Sequence, residues 1–184
     1  MASVVVPFRG ETAKQRLAPA PEEVRARIAQ AMFEDVRAAA EAVGTVVVAD
    51  DAGGQGPAVE AALRHIGEGP ILVVNADLPC ARPRDLLTLL GALPEGGLAL
   101  VPAADGTTNA LALAASHLFA PLYGPNSADR FLDRADRLGV TAAVAAIPSL
   151  AEDVDRLEDL ERLHGDLGPN TAAALDALRT GLPR

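Results

Sequence analysis

The 184-residue chain has few of the features that mark extracellular, membrane-bound or nucleic-acid-binding proteins. Its single cysteine, Cys80, cannot form an internal disulfide, which predicts a reducing, cytoplasmic location. No apolar run approaches the ~20 residues of a membrane-spanning helix, and the N-terminus lacks a signal-peptide pattern. A net charge of −9 argues against broad nucleic-acid binding, because a phosphate backbone requires a basic surface. We therefore predict neither a membrane nor a nucleic-acid partner.

Aromatic residues make up only 3% of the chain, whereas 49% is hydrophobic, so the core must consist largely of Ala, Val and Leu. Apolar periodicity predicts strands over 3–7, 45–49, 71–75, 98–102, 109–114 and 140–147. It predicts helices from Pro21 to about residue 43 and over 58–66, 83–93, 127–138, 157–163 and 170–182. Strands and helices that alternate in this way predict a layered α/β domain with a mostly parallel sheet. With no linker or repeat, residues 1–184 are expected to form one domain.

Lysine is the scarcest charged residue, because fifteen of the sixteen basic residues are arginine and only Lys14 is lysine. Lys14 lies with Arg9 and Arg16 in a loop that follows the first predicted strand. A basic loop at the carboxyl end of a strand is suited to bind nucleotide phosphates. Neither the Walker pattern nor the dinucleotide-binding glycine pattern is present. For Arg9 or Arg16 alone, a solvated basic loop is the simpler interpretation.

The strand predicted at 71–75 is the clearest buried strand, because it contains four consecutive apolar residues, and the segment that follows contains Asp77 and Pro79. In open α/β sheets, ligands bind at the carboxyl ends of strands. A carboxylate at this place is suited to hold a hard cation such as Mg2+ beside a phosphate. The alternative is that Asp77 only terminates the strand and caps the following turn.

A second acidic segment follows the last predicted strand and contains Asp153 and Asp155. Side chains two residues apart point the same way in extended chain, so this pair can converge on one cation together with Asp77. Asp155 with Glu158 also fits a capping box, in which Asp155 would only start the next helix. The three histidines show no metal-ligand spacing, and no Ser/His/Asp or Cys/His arrangement is suggested.

Two glycine-containing segments, 106–109 and 123–127, complete the candidate residues. Gly106 and Gly124 would let backbone approach a small phosphorylated acid closely. Ser127 is predicted to be the N-cap of a helix whose first N–H groups favour an anion. Taken alone, these residues are also typical of ordinary turns and caps.

Taken together and in this order, these segments resemble the 2-phospholactate or phosphoenolpyruvate guanylyltransferases of coenzyme F-420 biosynthesis. That family is part of the nucleotidyltransferase superfamily with a molybdenum-cofactor guanylyltransferase-like fold. The segments that carry the resemblance are Val4-Val5-Val6-Pro7, Ala13-Lys14-Gln15-Arg16-Leu17, Asn75-Ala76-Asp77-Leu78-Pro79, Gly106-Thr107-Thr108-Asn109, Tyr123-Gly124-Pro125-Asn126-Ser127 and Asp153-Val154-Asp155. The resemblance implies a three-layer α/β/α Rossmann-like fold. It also implies transfer of GMP from GTP to the phosphate of a three-carbon acid, with release of pyrophosphate.

The resemblance further implies roles for individual residues. Asp77, Asp153 and Asp155 would hold Mg2+, and Lys14 and Asp77 would be the catalytic residues. The nucleotide would contact Arg9, Lys14, Arg16 and Gln55. The acid would be held by Thr107, Thr108, Asn109, Gly124 and Ser127.

The chain departs from the family pattern mainly on the nucleotide side. Gln15 replaces a usual serine, Tyr123 a commoner phenylalanine, and Gly56-Pro57-Ala58 stands where Gly-Leu-Asn normally helps to hold the nucleoside. Guanine selectivity and the contact from Gln55 therefore stay open. Alternatives are a related Mg2+-dependent nucleotidyltransferase with a sugar-phosphate or molybdopterin acceptor, and a non-catalytic nucleotide-binding module. The Arg- and Ala-rich composition favours phosphoenolpyruvate over 2-phospholactate as the acid.

Overall fold

The computed structural model describes residues 2–9, 17, 20–51, 53–163 and 165–181. The strands are β1 (Ala2–Pro7), β2 (Gly44–Ala49), β3 (Ile71–Val74), β4 (Leu98–Pro102), β5 (Thr108–Leu113) and β6 (Ala142–Val144). The α-helices are α1 (Glu22–Glu41), α2 (Gln55–Leu63), α3 (Pro83–Gly91), α4 (Ser127–Leu138), α5 (Pro148–Ala151) and α6 (Pro169–Gly181). Short 3-10 helices span Ser116–Leu118 and Leu157–Glu161. In the described part of the chain, every helix is too short or too polar to cross a membrane.

The six strands form one sheet in the order β2-β1-β3-β5-β4-β6. β1 pairs in parallel with β2 and β3, and β4 pairs in parallel with β6. β5 is antiparallel to both β3 and β4. The predicted, mostly parallel sheet is confirmed, with β5 as the reversed strand. Its direction follows from the short connection at 103–107, because a parallel crossover needs a dozen or more residues.

Helices cover both faces of the sheet, as the alternation of buried residues along β1 shows. Val4 and Val6 pack in the cluster that contains residues of α1 and α3. Val5 packs in the opposite cluster, which contains residues of α2 and α4, with fully buried Phe131 among them. All four residues of β3 are buried, so β3 lies inside the sheet and is covered on both faces. The three-layer α/β/α arrangement predicted from the resemblance is therefore confirmed.

A third cluster joins the two long helices α1 and α6. Leu17, Ile28, Met32 and Val154 form its fully buried centre, with Leu175 and Leu178 of α6 packed against them, among others. Burying apolar side chains of this size stabilises the fold by roughly 1.5–3 kcal/mol per side chain.

The N-terminus of α6 is held by Asp35, a buried carboxylate on α1. Asp35 accepts hydrogen bonds from the backbone N–H groups of Asn170 and Thr171, at 3.0 and 2.8 Å, and from Asn170 Nδ2 at 2.8 Å. The first N–H groups of a helix lack partners within the helix, so this carboxylate caps α6 from another element. Gly168 just before α6 lies so close to Asp35 that a Cβ atom there would overlap the carboxylate.

Segment 165–168 lies across the loop that follows β3. Gly168 N–H donates to the carbonyl of Pro79 at 2.7 Å, and Arg82 Nη2 donates to the carbonyl of Asp166 at 2.9 Å. Cys80 is buried beneath this crossing, and burial raises the pKa of its thiol. The C-terminal segment is thus tied to the loop that carries Asp77.

Several element boundaries differ from the sequence prediction. β6 comprises three residues where 140–147 was predicted, and the helix predicted at 157–163 is the 3-10 helix Leu157–Glu161. α2 begins at Gln55 and not at residue 58, because Pro57 fits the first turn of a helix, where its missing N–H is not required.

Candidate functional site

Most of the candidate residues that the structure describes lie at one edge of the sheet. The parallel strands β1, β3 and β4 end there, and β5 begins there because it runs in the opposite direction. In the pairing registers, Pro102 lies opposite Thr108 and Val74 lies opposite Ala110. The loop after β3 and the first residues of β5 therefore reach the same place, although they are far apart in the sequence.

The carboxylates of Asp77, Asp153 and Asp155 converge at this edge. Each contributes one oxygen, and the three oxygens all lie within 4.8 Å of one another. Val154 N–H donates to the carbonyl of Asp77 at 3.0 Å and fixes the two acidic segments against each other. The Val154 side chain is fully buried in the cluster between α1 and α6, while both flanking aspartates are only half-buried. This alternation places both flanking carboxylates on the side of Asp77.

The alternative role of Asp155 as a helix cap is wrong. The 3-10 helix starts one residue later than that role requires, with Arg156 at the N-cap position. Its capping carboxylate is Asp159, which accepts from the backbone N–H groups of Asp155 and Arg156 at 3.0 and 2.7 Å.

The electrostatics of this cluster favour a bound cation. Burial raises the pKa of Asp153, the nearby charge of Asp77 raises it further, and Asp155 adds a smaller contribution of the same sign. A hydrogen bond from Asn109 opposes these effects. Like charges this close destabilise one another unless a proton or a cation neutralises them. Three carboxylate oxygens are the hard ligands that Mg2+ prefers, so the residues fit the proposed metal.

This repulsion leads to a prediction for the metal-free protein. In EDTA at neutral pH, Asp153→Asn should raise the unfolding temperature, because it removes a charge that folding brings close to Asp77. The raised pKa means that the folded chain binds the proton more tightly than the unfolded chain. The contribution of Asp153 to the free energy of unfolding is therefore fully present below the ordinary aspartate pKa. It is lost as the pH rises through the raised pKa of the folded chain.

The measurement is thermal unfolding of both proteins across this pH range. The advantage of Asp153→Asn should be largest at neutral pH and should disappear at acidic pH. A variant that is less stable than the wild type at every pH would contradict this account of the cluster.

A row of side-chain amides runs from α2 to the carboxylates. Gln55 Nε2 donates to Asn75 Oδ1 at 2.6 Å, Asn75 Nδ2 donates to Asn109 Oδ1 at 3.4 Å, and Asn109 Nδ2 donates to Asp153 Oδ1 at 3.2 Å. Asn109, predicted to contact the acid, is buried and directs its amide to a carboxylate of the cluster. Asn75 received no role from the sequence, and its position at the end of β3, two residues before Asp77, was the available signal.

The residues predicted to hold the acid lie around the start of α4. Ser127 Oγ donates to Thr108 Oγ1 at 3.1 Å, which joins the helix to β5. Thr107 donates its backbone N–H and its hydroxyl to Asp105, at 2.9 and 2.6 Å, within the turn before β5. Gly124 has a φ of 113°, a conformation that glycine adopts without strain. The structure thus brings Thr108, Gly124 and Ser127 to one helix start.

The predicted capping role of Ser127 is wrong, because Ser127 is the first residue of α4. The N-cap is Asn126, with a φ of 55°, in the left-handed region that asparagine tolerates better than most residues. The N–H of the second helical residue, Ala128, donates to the carbonyl of Gly106 at 3.2 Å.

Arg130 holds the loop before α4 and was not identified from the sequence. Its Nη2 donates to the carbonyls of Leu122 and Tyr123 at 2.7 and 3.1 Å. Tyr123 also packs edge-on against Phe131, with ring centroids 5.5 Å apart. The first turn of α4 therefore fixes the loop that contains Gly124. An arginine three residues after Ser127, on the same helical face, was the only sequence signal.

The nucleotide-side residues are described only in part. Arg9 is exposed, and its Nε and Nη2 both donate to the carbonyl of Asp51, at 3.0 and 2.7 Å, which links the ends of β1 and β2. Gln55 stands at the start of α2, next to Asn75. Lys14 and Arg16 lie outside the described residues.

An open α/β sheet with converging carboxylates at its carboxyl edge is typical of enzymes that act on nucleotides with a divalent cation. Residues 4–174 match the family model of the MobA-like NTP transferase domain, and the chain belongs to this family. It is therefore a nucleotidyltransferase.

Curated relatives cover nearly the whole chain. A phosphoenolpyruvate guanylyltransferase of Streptomyces scabiei is 36% identical over 94% of this chain and 94% of its own length. A protein of the same name from Roseiflexus castenholzii is 33% identical over 89% of this chain and 87% of its own.

Solved structures show the same fold at low sequence identity. A putative nucleotide-diphospho-sugar transferase from Desulfovibrio desulfuricans has a TM-score of 0.72 at 12% identity and covers 97% of this chain and 95% of its own. The 2-C-methyl-D-erythritol 4-phosphate cytidylyltransferase of Thermus thermophilus has a TM-score of 0.59 at 15% identity, over 94% and 98% of the two chains. These likenesses confirm the predicted nucleotidyltransferase fold.

Proposed function

We propose that this protein transfers GMP from GTP to the phosphate of phosphoenolpyruvate, with release of pyrophosphate, as a step of coenzyme F-420 biosynthesis. The observation that carries the proposal is the convergence of Asp77, Asp153 and Asp155. Strand β5 connects this cluster to the start of α4, because Asn109 bonds to Asp153 and the preceding Thr108 bonds to Ser127. The names of its relatives, at 33% and 36% identity over most of the chain, support the nucleotide and the acid. Mg2+ is proposed as the metal because three carboxylates supply the oxygen ligands it prefers.

The reaction needs positioning and charge neutralisation more than proton transfer. A phosphate oxygen of the acid forms a bond to the α-phosphorus of GTP while the bond from that phosphorus to the bridging oxygen breaks, and pyrophosphate leaves. The attacking phosphate is already ionised, so no general base is required. When bound, Mg2+ would neutralise phosphate charge and bring the two anions together.

Separate groups of residues would bind the metal, the triphosphate of GTP and the acid. Asp77, Asp153 and Asp155 would hold the metal, and Lys14, with Arg9 and Arg16, would offset the charge of the triphosphate. The backbone around Gly124 and the hydroxyls of Thr108 and Ser127 would orient the acid. Such orientation can supply a large part of the rate enhancement.

A direct assay separates the proposal from its alternatives. Pyrophosphate release would be measured for each of the four NTPs against phosphoenolpyruvate, 2-phospholactate, a hexose 1-phosphate and molybdopterin. GTP with phosphoenolpyruvate should give the highest kcat/KM. If kcat/KM were highest with the sugar phosphate or molybdopterin, the protein would be assigned to another branch of the family. GTP binding without turnover on any acceptor would indicate a non-catalytic module.

Arg130 offers a test of how the acid is held. Arg130→Met should raise the KM for the acid about tenfold with kcat changed less, because tenfold corresponds to about 1.4 kcal/mol, the scale of a charged hydrogen bond. The variant loses the two bonds to the carbonyls of Leu122 and Tyr123 but keeps most of the side-chain volume.

The control for Arg130 is Arg137→Met on the same helix, since Arg137 is exposed and donates only to Asp133 within its own helix in the described contacts. It should leave the KM for the acid unchanged. An equal rise in the KM for GTP and for the acid in Arg130→Met would show a general loosening of the site.

We also propose that residues 1–184 form one nucleotidyltransferase domain and that this domain acts in the cytoplasm. The six-stranded sheet that the described residues form and the family match over residues 4–174 support one domain. The lone thiol of Cys80 and the metabolites GTP and phosphoenolpyruvate support the location.

A further inference from the structure

The amide row between Gln55 and Asp153 has a single direction. Each asparagine in it accepts a hydrogen bond through its oxygen on the Gln55 side and donates through its nitrogen on the Asp153 side. A side-chain amide has one accepting and one donating end, so the orientation of each member determines that of the next. The last donor in the row, Asn109 Nδ2, meets a carboxylate that the proposed function assigns to the metal.

Asn75 fixes this direction from two sides. Its Nδ2 donates to Asn109 Oδ1 at 3.4 Å and to the backbone carbonyl of Thr108 at 3.3 Å, while its Oδ1 accepts from Gln55 at 2.6 Å. A backbone carbonyl only accepts, so turning the Asn75 amide over would bring two oxygens together at Thr108. The strand pairing also holds Asn75 in place, because its backbone N–H donates to the carbonyl of Asn109 at 2.9 Å.

The orientation of Asn109 has consequences for the carboxylate cluster. If the Asn109 amide turned over, its oxygen would face Asp153 Oδ1 and add repulsion to a carboxylate already close to Asp77. With the nitrogen facing Asp153, the donated hydrogen bond orients the carboxylate and stabilises its charged form. Asn109 is buried, so water does not readily replace its partner.

We propose that Asn75 is a positioning residue for metal binding, which acts on Asp153 through Asn109. This role rests on the proposed metal site and extends it beyond the three carboxylates. Groups that orient metal ligands without touching the metal typically change metal affinity by ~10–100-fold when removed.

The test measures Mn2+ binding, by electron paramagnetic resonance, in the absence of nucleotide. Asn75→Leu and Asn109→Leu should each raise the Kd for Mn2+ about tenfold or more. The double variant should bind Mn2+ no more weakly than Asn109→Leu alone, because Asn75 would have no route to Asp153 once Asn109 is gone. The smaller variant Asn75→Ala is used where Asn75→Leu does not fold.

The matched control is Asn170→Leu, which removes an amide that donates to a carboxylate, Asp35, away from the site. It should lower the unfolding temperature and leave the Kd for Mn2+ unchanged, as would any purely structural amide.

Two results would overturn the inference about Asn75. One is a wild-type Kd in both Asn75 variants. The other is an additive loss in the double variant, which would show that Asn75 does not act through Asn109. Two other results would instead contradict the metal site of the proposed function. One is that the wild-type protein binds no Mn2+, and the other is that Asp153→Asn binds Mn2+ as tightly as the wild type.

Discussion

Asp77→Asn and Asp153→Asn should each lower kcat/KM for GTP-dependent pyrophosphate release by ~10²-fold or more, the scale of losing one key electrostatic contact in a transition state. Either change replaces a carboxylate of the cluster by a neutral amide of the same shape. The loss should therefore occur without unfolding, since each change also removes repulsion from a crowded acidic cluster. Activity would be measured with GTP and phosphoenolpyruvate over a range of Mg2+ concentrations.

The matched control is Asp136→Asn, an exposed carboxylate on α4 away from the cluster. It should retain wild-type kcat/KM. Near-normal turnover of either cluster variant at low Mg2+ would rule out the assignment of that aspartate as a metal ligand. Recovery of activity only at high Mg2+ would support it, because a weakened site fills at higher metal concentration.

Asp35→Ala should cause the largest loss of stability among the substitutions considered, about 3 kcal/mol, because a buried charged acceptor of several hydrogen bonds disappears. For a protein of this size, ~3 kcal/mol corresponds to roughly 6–12 °C in the unfolding temperature. The N–H groups of Asn170 and Thr171 would lose their acceptor at the start of α6. Thermal unfolding followed by circular dichroism would measure the change.

Two further variants sharpen this second test. Asp35→Asn keeps one accepting oxygen and should fall between the wild type and Asp35→Ala. Asp176→Ala removes an exposed carboxylate of α6 itself, and the loss should stay below ~0.5 kcal/mol, as for other surface ion pairs. If Asp35→Ala were no less stable than Asp176→Ala, the carboxylate would not be the cap of α6.

The layered fold was predictable because its signals are local. Periodic apolar residues reveal each strand and helix, and β3 reads as buried from four consecutive apolar residues. The direction of β5 follows from the short connection at 103–107, but its place between β3 and β4 depends on pairing between strands that are distant in the sequence, which no local pattern encodes. The short β6 illustrates the same limit, because apolar residues beyond Val144 pack against the core without continuing the strand.

The candidate site was predictable where an acidic residue follows an apolar segment. Asp77, Asp153 and Asp155 stood out as carboxylates after apolar segments, and the structure brings them together. Asn75 and Arg130 act through hydrogen bonds to partners far along the chain or in a loop, so their importance depends on tertiary geometry. Ser127 shows the converse error, because a residue typical of N-caps instead lies inside the helix and donates to Thr108.

The order of the acidic cluster along the chain also bears on the synthesis of this protein, because two of its three carboxylates follow the last strand. A nascent chain that ends at residue 150 contains all six strands and Asp77, but neither Asp153 nor Asp155. The N-terminal part of a protein emerges first, at roughly 5–20 residues per second, and can begin to fold before the rest is made. The acidic cluster would form only after the last strand is in place and Val154 is buried between α1 and α6. Unfinished chains would therefore lack two of the three carboxylates that are proposed to hold the metal.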